Sequence, residues 1–242
     1  MRYLMTFSYD GTNYNGYQKQ VNKNTIQDNL EDNLSKIFNQ KISISSSGRT
    51  DAKVHAVNAK AHFDVDKKMD INRLRNSLNK LINNDIYIKE IVEVSSDFHA
   101  RFNVIKKEYV YKINIGEYNP LDRNYIYQYN KKLDIKKMKK ASKYLIGTHD
   151  FKSFTKVDQI EKDYIRTIYK IDFKIKKDIL EITFIGNGFL RYMVRNLVGI
   201  LIEVGNDKRK ISEVKEILDA KNRIKAGITA PPEGLYLKNV KY

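Results

Sequence analysis

The 242-residue chain contains no cysteine, which excludes a disulfide framework, a thiolate nucleophile and a thiolate zinc site. Its four histidines, at 55, 62, 99 and 149, are scattered and supply no ligand cluster for a metal. Three prolines and eleven glycines, thinly spread, leave no flexible linker or low-complexity segment. Long apolar runs are missing too. The longest, around Leu197 to Val204, is interrupted by Gly199 and Glu203 and is too short to cross a bilayer. The N-terminal MRYLMTFSYDG alternates like a strand and does not read as a secretory signal, so the expected compartment is the cytoplasm.

What is present is enough for a core. Hydrophobic residues make up 41% of the chain, too many for a disordered protein, and the length fits one large domain or two of about 100 to 150 residues. Lys and Arg total 45 against 29 Asp and Glu, a formal charge of +16, which favours a polyanionic partner, most simply nucleic acid. Abundant lysine, asparagine and isoleucine are also what an AT-rich coding bias produces, so placement carries more than the total. Around Leu133 to Ile146 a helical spacing sets Lys132, Lys136, Lys139, Lys140 and Lys143 opposite Met138, Ala141 and Leu145. That stripe suits a phosphate backbone or a solvated face.

Periodicity places the elements. Tyr3–Tyr9 alternates as a strand, YDGTNYNGYQKQ is a loop, and Thr25 with Asp28 has capping-box spacing before a helix faced by Ile26, Leu30 and Leu34. KISIS and NAKAHFDVD read as strands flanking a loop, SSGRTDAKVHA. A second helix follows with Leu74 and Leu78 on its apolar face, then the strand IYIKEIVEV. The second half repeats the order with a strand over Val104–Ile115, the lysine-striped helix, two strands around 168–175 and 179–185, and an apolar helix over FLRYMVRNLVGILIEV. Two α+β lobes are expected, residues 1–103 and 104–242.

In that loop Asp51 stands between Arg49 and Lys53, with Gly48 allowing a tight turn. With no thiol and no metal cluster, a lone carboxylate serves as nucleophile or general base, and the flanking cations favour its ionised form. The alternative is a charged turn in which Asp51 pairs with Arg49. On the apolar helix Arg191 and Arg195 stand at i and i+4, which predicts two guanidinium groups on one face, engaging Asp51 and phosphate or an ion pair within their own lobe. Tyr109, on a strand with Lys106, Lys107 and Lys112, offers a surface on which a base can stack, or a packing residue. Arg101 in FHARF is a further phosphate contact or an ion-pair partner.

Seven blocks in order carry a resemblance: YDGTNYNGYQKQ, SSGRTDAKVHA, FHARF with KEYVYKI, GTHDFKSF, RTI at 166–168, NGFLRYMVRNLVG and TAPPEGLYL. The chain resembles the TruA-type tRNA pseudouridine synthases almost end to end. Two positions depart from the family's pattern: Tyr17 stands where tryptophan is usual, and Lys53 where glycine is common. The resemblance implies α+β lobes sharing a continuous, mainly antiparallel sheet with helices on one side and a cleft between the lobes. It implies isomerisation of uridine to pseudouridine at positions 38 to 40 of the tRNA anticodon arm, by a homodimer, with no cofactor and no metal. It makes Asp51 the catalytic aspartate, Arg49 a residue that helps extrude the nucleotide, Tyr109 the active-site tyrosine and Arg195 the arginine that holds the aspartate. Arg191 and Lys53 are expected at the RNA. A ribosomal RNA target, or a non-catalytic RNA-binding protein on the same fold, are the alternatives.

Overall fold

A computed structural model of the chain describes residues 1–156 and 163–242. They form a mixed α/β protein that divides into two compact units, Met1–Ile105 with Tyr236–Tyr242, and Lys106–Leu235. In the first unit the strands are β1 (Arg2–Tyr9), β2 (Ile44–Ser46), β3 (His55–Asp64), β4 (Ile86–Val94) and β10 (Leu235–Lys241), and the helices α1 (Ile26–Phe38) and α2 (Ile71–Leu81). The sheet order is β4-β1-β3-β10 with β2 beside β3, and all pairs are antiparallel except β3 with β10. The chain's last strand therefore belongs with the first unit, although its position in sequence places it in the segment 104–242.

Why these residues make these elements is visible locally. On β1 the side chains of Tyr3, Met5 and Phe7 are fully buried and stand opposite Phe63, Ala61 and Ala59 of β3, the period-2 pairing that the alternating sequence demands. Thr25 caps α1, accepting from the Asp28 N–H at 3.2 Å and donating to its carboxylate at 2.5 Å, so two groups at the helix start are satisfied together. Helix α2 is tied to β4 by Asn79, whose side chain donates to the Ile88 carbonyl and accepts from its N–H at 2.9 and 2.8 Å.

The second unit has strands β5 (Lys106–Asn114), β6 (Tyr127–Gln128), β7 (Gly147–Asp150), β8 (Ile165–Lys176) and β9 (Ile179–Gly186), and helices α3 (Ile135–Ser142), α4 (Met193–Gly205) and α5 (Glu213–Ala220). Its sheet runs β5-β9-β8-β7, antiparallel throughout, with β6 added parallel to β5. The lysine-striped helix is shorter than its pattern, ending at Ser142 and tightening into a 3-10 turn over Lys143–Leu145. Met138, Ala141 and Leu145 are buried as the spacing requires, and Lys132, Lys136, Lys139, Lys140 and Lys143 are exposed.

Candidate active site

Asp51 sits in the connection from β2 to β3, and the glycine-rich loop after β1 lies directly against the backbone of that connection. Tyr17 N–H donates to the Thr50 carbonyl at 3.1 Å, Lys53 N–H to the Tyr14 carbonyl at 3.4 Å, and the hydroxyls of Tyr9 and Thr50 meet at 2.7 Å. The approach is so close that only glycine fits. A Cβ on Gly16, where φ is +94°, would stand 2.9 Å from the Thr50 carbonyl oxygen and 3.2 Å from the Asp51 carbonyl carbon; one on Gly11 would stand 2.1 Å from the Val54 oxygen. YDGTNYNGYQ is thus the mould for the loop bearing Asp51. Beyond Asp51 the chain closes a turn, Val54 N–H donating to the Asp51 carbonyl at 3.2 Å, and enters β3 at His55. His55 is structural: its Nδ1 accepts from the Gly11 N–H at 3.1 Å and its ring stacks on Tyr236 at 4.8 Å.

Within this loop the three charged side chains differ. Asp51 is half-buried, while Arg49 and Lys53 are exposed. Arg49 makes no ion pair among the described residues, so the alternative in which Arg49 simply neutralises Asp51 within the turn is not what the fold builds. Lys53 has φ +64°, the left-handed region. That conformation gives a physical reason for glycine at this position in relatives of the pattern, and it identifies Lys53 as a residue held there at a conformational cost. Tyr17, in the tryptophan's place, is 2% exposed; burial pushes the phenol up, with the Ser46 side chain opposing.

The second unit carries the other expected residues. Tyr109 lies on β5 opposite Phe184 of β9. Its ring is buried and meets Phe189 edge-to-face at 5.2 Å, so it is not displayed as an open platform among Lys106, Lys107 and Lys112. Two residues along the same face, Tyr111 donates its hydroxyl to the Pro231 carbonyl at 2.6 Å. Burial pushes the Tyr111 phenol up, Glu233 adds to this, and Arg195 opposes it.

Arg191 and Arg195 are brought together, but not by the helical spacing expected of them. Helix α4 begins only at Met193, and Tyr192 before it is left-handed with φ +65°, so Arg191 lies outside the helix in the preceding turn. The two guanidinium groups instead share the Tyr192 ring, Arg195 at 5.0 Å and Arg191 at 5.5 Å from its centroid. Arg195 is the single residue of α4 that is not buried. Its Nε donates to the Ala230 carbonyl at 2.7 Å, and its own carbonyl accepts from the Ala230 N–H at 3.0 Å, which ties the helix to the TAPPEGLYL block.

The neighbouring Asn196 explains why α4 sits where it does. Fully buried, it donates to the carbonyls of Phe154 (2.7 Å) and Thr155 (3.2 Å) and accepts from Thr229 Oγ1 (2.7 Å) and Arg223 Nη2 (3.0 Å), a satisfied network inside an apolar helix. Burial pulls the Arg223 guanidinium below the ordinary arginine value, with Glu203 opposing. Among the described residues no group of three or more His, Asp or Glu side chains is placed to hold a metal, and no helix is long and apolar enough to cross a membrane. Sequence reasoning missed Tyr192, Asn196 and Arg223. A polar Asn in the otherwise apolar run MVRNLVGILIEV was a usable signal for the network; nothing in the sequence marks Tyr192.

Comparison with known proteins gives one consistent answer. A family model described as tRNA pseudouridine synthase matches residues 5–103 and 141–242. Proteins named tRNA pseudouridine synthase A from Anoxybacillus flavithermus and from a Geobacillus species are 46% and 45% identical over 242 and 243 aligned residues, covering all of this chain and 98% of each relative. "tRNA pseudouridine synthase A 2" of Clostridium tetani is 45% identical, covering 97% of this chain and 96% of the relative. Among solved structures, a chain of a Cbf5-Nop10-Gar1 complex matches at a TM-score of 0.35 and 13% identity, covering 82% of this chain and 54% of that one, too distant to bear on the site.

Proposed function

The chain belongs to the tRNA pseudouridine synthase family, and from that premise we propose that it isomerises uridines of the tRNA anticodon arm with Asp51 as its catalytic carboxylate. The observation that carries the residue assignment is the moulded loop, in which the β1–α1 segment fixes the backbone on both sides of a half-buried Asp51 while Arg49 forms no ion pair among the described residues. A turn held that closely presents a preorganised carboxylate rather than a solvated one.

The reaction is an internal rearrangement. The N1–C1′ bond of uridine breaks, the base rotates, C5 bonds to C1′, and the proton lost from C5 is balanced by one gained at N1. No outside reactant enters. Asp51 acts on the ribose, at C1′ or at the C2′ proton, and the base must leave its stack for the sugar to be reached, at a cost of a few kcal/mol. Arg49, exposed beside Asp51, helps extrude the nucleotide, and Lys53 contacts the backbone. Arg195, oriented by Ala230 and Tyr192, is the guanidinium assigned to the catalytic carboxylate, and Arg191 faces phosphate. Tyr109 bounds the base at its buried edge, and Tyr192 is a positioning residue for the arginine pair. The working unit is a cytoplasmic homodimer, and the exposed lysines of α3 add phosphate contacts.

The test is Asp51→Asn with tRNA transcripts. The variant folds and binds tRNA but forms no pseudouridine, read by carbodiimide mapping of the anticodon arm. Product at near wild-type rate removes Asp51 from the chemistry; product mapped only to ribosomal RNA in cells with and without the gene moves the substrate.

A further inference from the structure

Phe102 is 75% exposed, among the most exposed of the large apolar side chains of the chain, yet it is firmly held. The short turn that bears it is closed by the His99 carbonyl, which accepts from the Phe102 and Asn103 N–H groups at 3.1 and 3.0 Å. The Arg101 N–H adds a bond to His99 Nδ1 at 3.1 Å. The ring leans on His99, with centroids 4.3 Å apart and planes at 32°. His99 in turn meets His62 at 4.7 Å, and Phe98 packs against both His62 and Tyr242. Phe102 is thus the outermost member of a series of packed rings, with one face supported and the rest in water. The Arg101 guanidinium stands 5.7 Å from its centroid and, among the described residues, makes no ion pair.

A rigid ring exposed to water beside a guanidinium without an acidic partner matches what an unpaired nucleotide requires. The base has a π-face to lay on the aromatic, and its phosphate an anion to offer the cation. The immediate companions of Phe102 are a guanidinium and an imidazole rather than further apolar side chains, which favours a charged, aromatic ligand over the core of a protein interface. Support from His99 removes the entropic cost of ordering the ring on binding. We propose that Phe102 and Arg101 form a stacking platform for an unpaired base of the tRNA substrate, outside the residues assigned to the chemistry. The identity of the ligand rests on the proposed function; the platform itself rests on the exposed, supported ring.

The experiment measures binding of an unmodified tRNA transcript over a salt series, together with multiple-turnover pseudouridine formation, for wild type, Phe102→Ala, Phe102→Trp and Arg101→Ala. Because Phe102 is largely in water, its removal leaves the melting temperature nearly unchanged. Phe102→Ala weakens tRNA binding roughly five- to 100-fold, the loss falling on KM rather than kcat, with the slope of log Kd against log salt unaltered. Phe102→Trp restores binding. Arg101→Ala lowers the salt slope by about one phosphate contact. Wild-type tRNA affinity in Phe102→Ala overturns the proposal. So does weakened binding that coincides with a change in oligomeric state by sedimentation, which assigns Phe102 to a protein contact. If wild type forms no pseudouridine but Phe102→Ala still weakens RNA binding with the salt slope intact, the proposed function fails and the platform stands.

Discussion

The guanidinium of Arg195 lies 5.0 Å from the ring centroid of Tyr192, the residue whose left-handed backbone, φ +65°, opens helix α4. A bulky side chain in that region costs of order 1–3 kcal/mol and persists only where its surroundings over-determine it. Here they do: Leu190 and Met193 on either side are buried, the Met193 N–H donates to the Leu190 carbonyl at 3.1 Å, and the Tyr192 carbonyl accepts the first bond of the helix from Asn196 at 2.9 Å. With Nε committed to Ala230 and one π-face to Tyr192, the plane of the Arg195 guanidinium is set.

It follows that Tyr192→Gly separates stability from turnover. Glycine relieves the left-handed strain, so the melting temperature holds or rises slightly, while loss of the ring frees both arginines and lowers kcat by about tenfold, the equivalent of one cation–π contact. Tyr192→Phe keeps the ring and recovers the rate. Thermal melts with single-turnover pseudouridine assays decide this; a Gly variant with wild-type kcat removes Tyr192 from any positioning role.

Lys53 makes a parallel case in the other unit. At φ +64° the side chain pays for a conformation that glycine adopts freely. Lys53→Gly therefore stabilises the fold by up to about 1 kcal/mol in denaturant melts, whereas Lys53→Ala, equally strained, leaves stability within about 0.5 kcal/mol. Both lose the same charge, so both weaken tRNA binding alike. A glycine variant no more stable than the alanine variant shows that the turn carries no strain.

How far all this was legible in the sequence depends on whether the cause is local. IYIKEIVEV became β4 at its own boundaries, and Thr25 with Asp28 capped α1, because alternation and capping are short-range properties. Helix α4 starts four residues later than the apolar pattern from Phe189 predicts, because the left-handed Tyr192 interrupts it where no periodicity records the turn, and the i, i+4 pairing of Arg191 and Arg195 is lost with it. The pairing of β10 with β3, Tyr236 with His55 and Leu237 with Ala56, joins residues 181 positions apart and has no local signature. Residue type and motif single out Asp51, Arg49 and Tyr109 as candidates; that Gly16 and Gly11 mould the Asp51 loop has no such signal, since close approach of two backbones leaves only scattered glycines behind.

Acid sensitivity is expected through His62. Its Nδ1 accepts from the Ala100 N–H at 3.1 Å, which requires the neutral ring, and burial, with Arg2 and His99 nearby, pulls its pKa below the ordinary 6.5 while Asp64 opposes. The unfolded chain then binds a proton that the folded chain refuses, so this contribution is fully present above about pH 6.5 and is lost as pH falls toward the folded value. Asp64 acts in the same direction lower down: its hydrogen bonds to Arg2, both 2.8 Å, hold the carboxyl below its usual range, and they are lost as it protonates. Denaturant midpoints measured from pH 7.5 to 5.5 therefore fall with pH, and His62→Gln flattens the dependence. An unchanged slope in that variant places the titration elsewhere.

Gly16 offers the most direct handle on the Asp51 loop. Its φ of +94° and a Cβ position 2.9 Å from the Thr50 carbonyl oxygen mean that Gly16→Ala must either strain its own backbone or push the Thr50–Asp51 peptide away. The expected cost is about 2–4 kcal/mol in denaturant melts, together with loss of the Tyr17 N–H bond to Thr50. Assayed at low temperature, where the variant remains folded, it still binds tRNA through its cationic surface but forms pseudouridine at least tenfold more slowly, because the carboxylate is displaced by a fraction of an ångström from where the sugar must meet it. An alanine variant with wild-type stability and rate shows that the β1–α1 loop is not the mould of the Asp51 turn, whereas one that is destabilised but keeps its folded-state rate shows that the mould supports the fold without positioning Asp51.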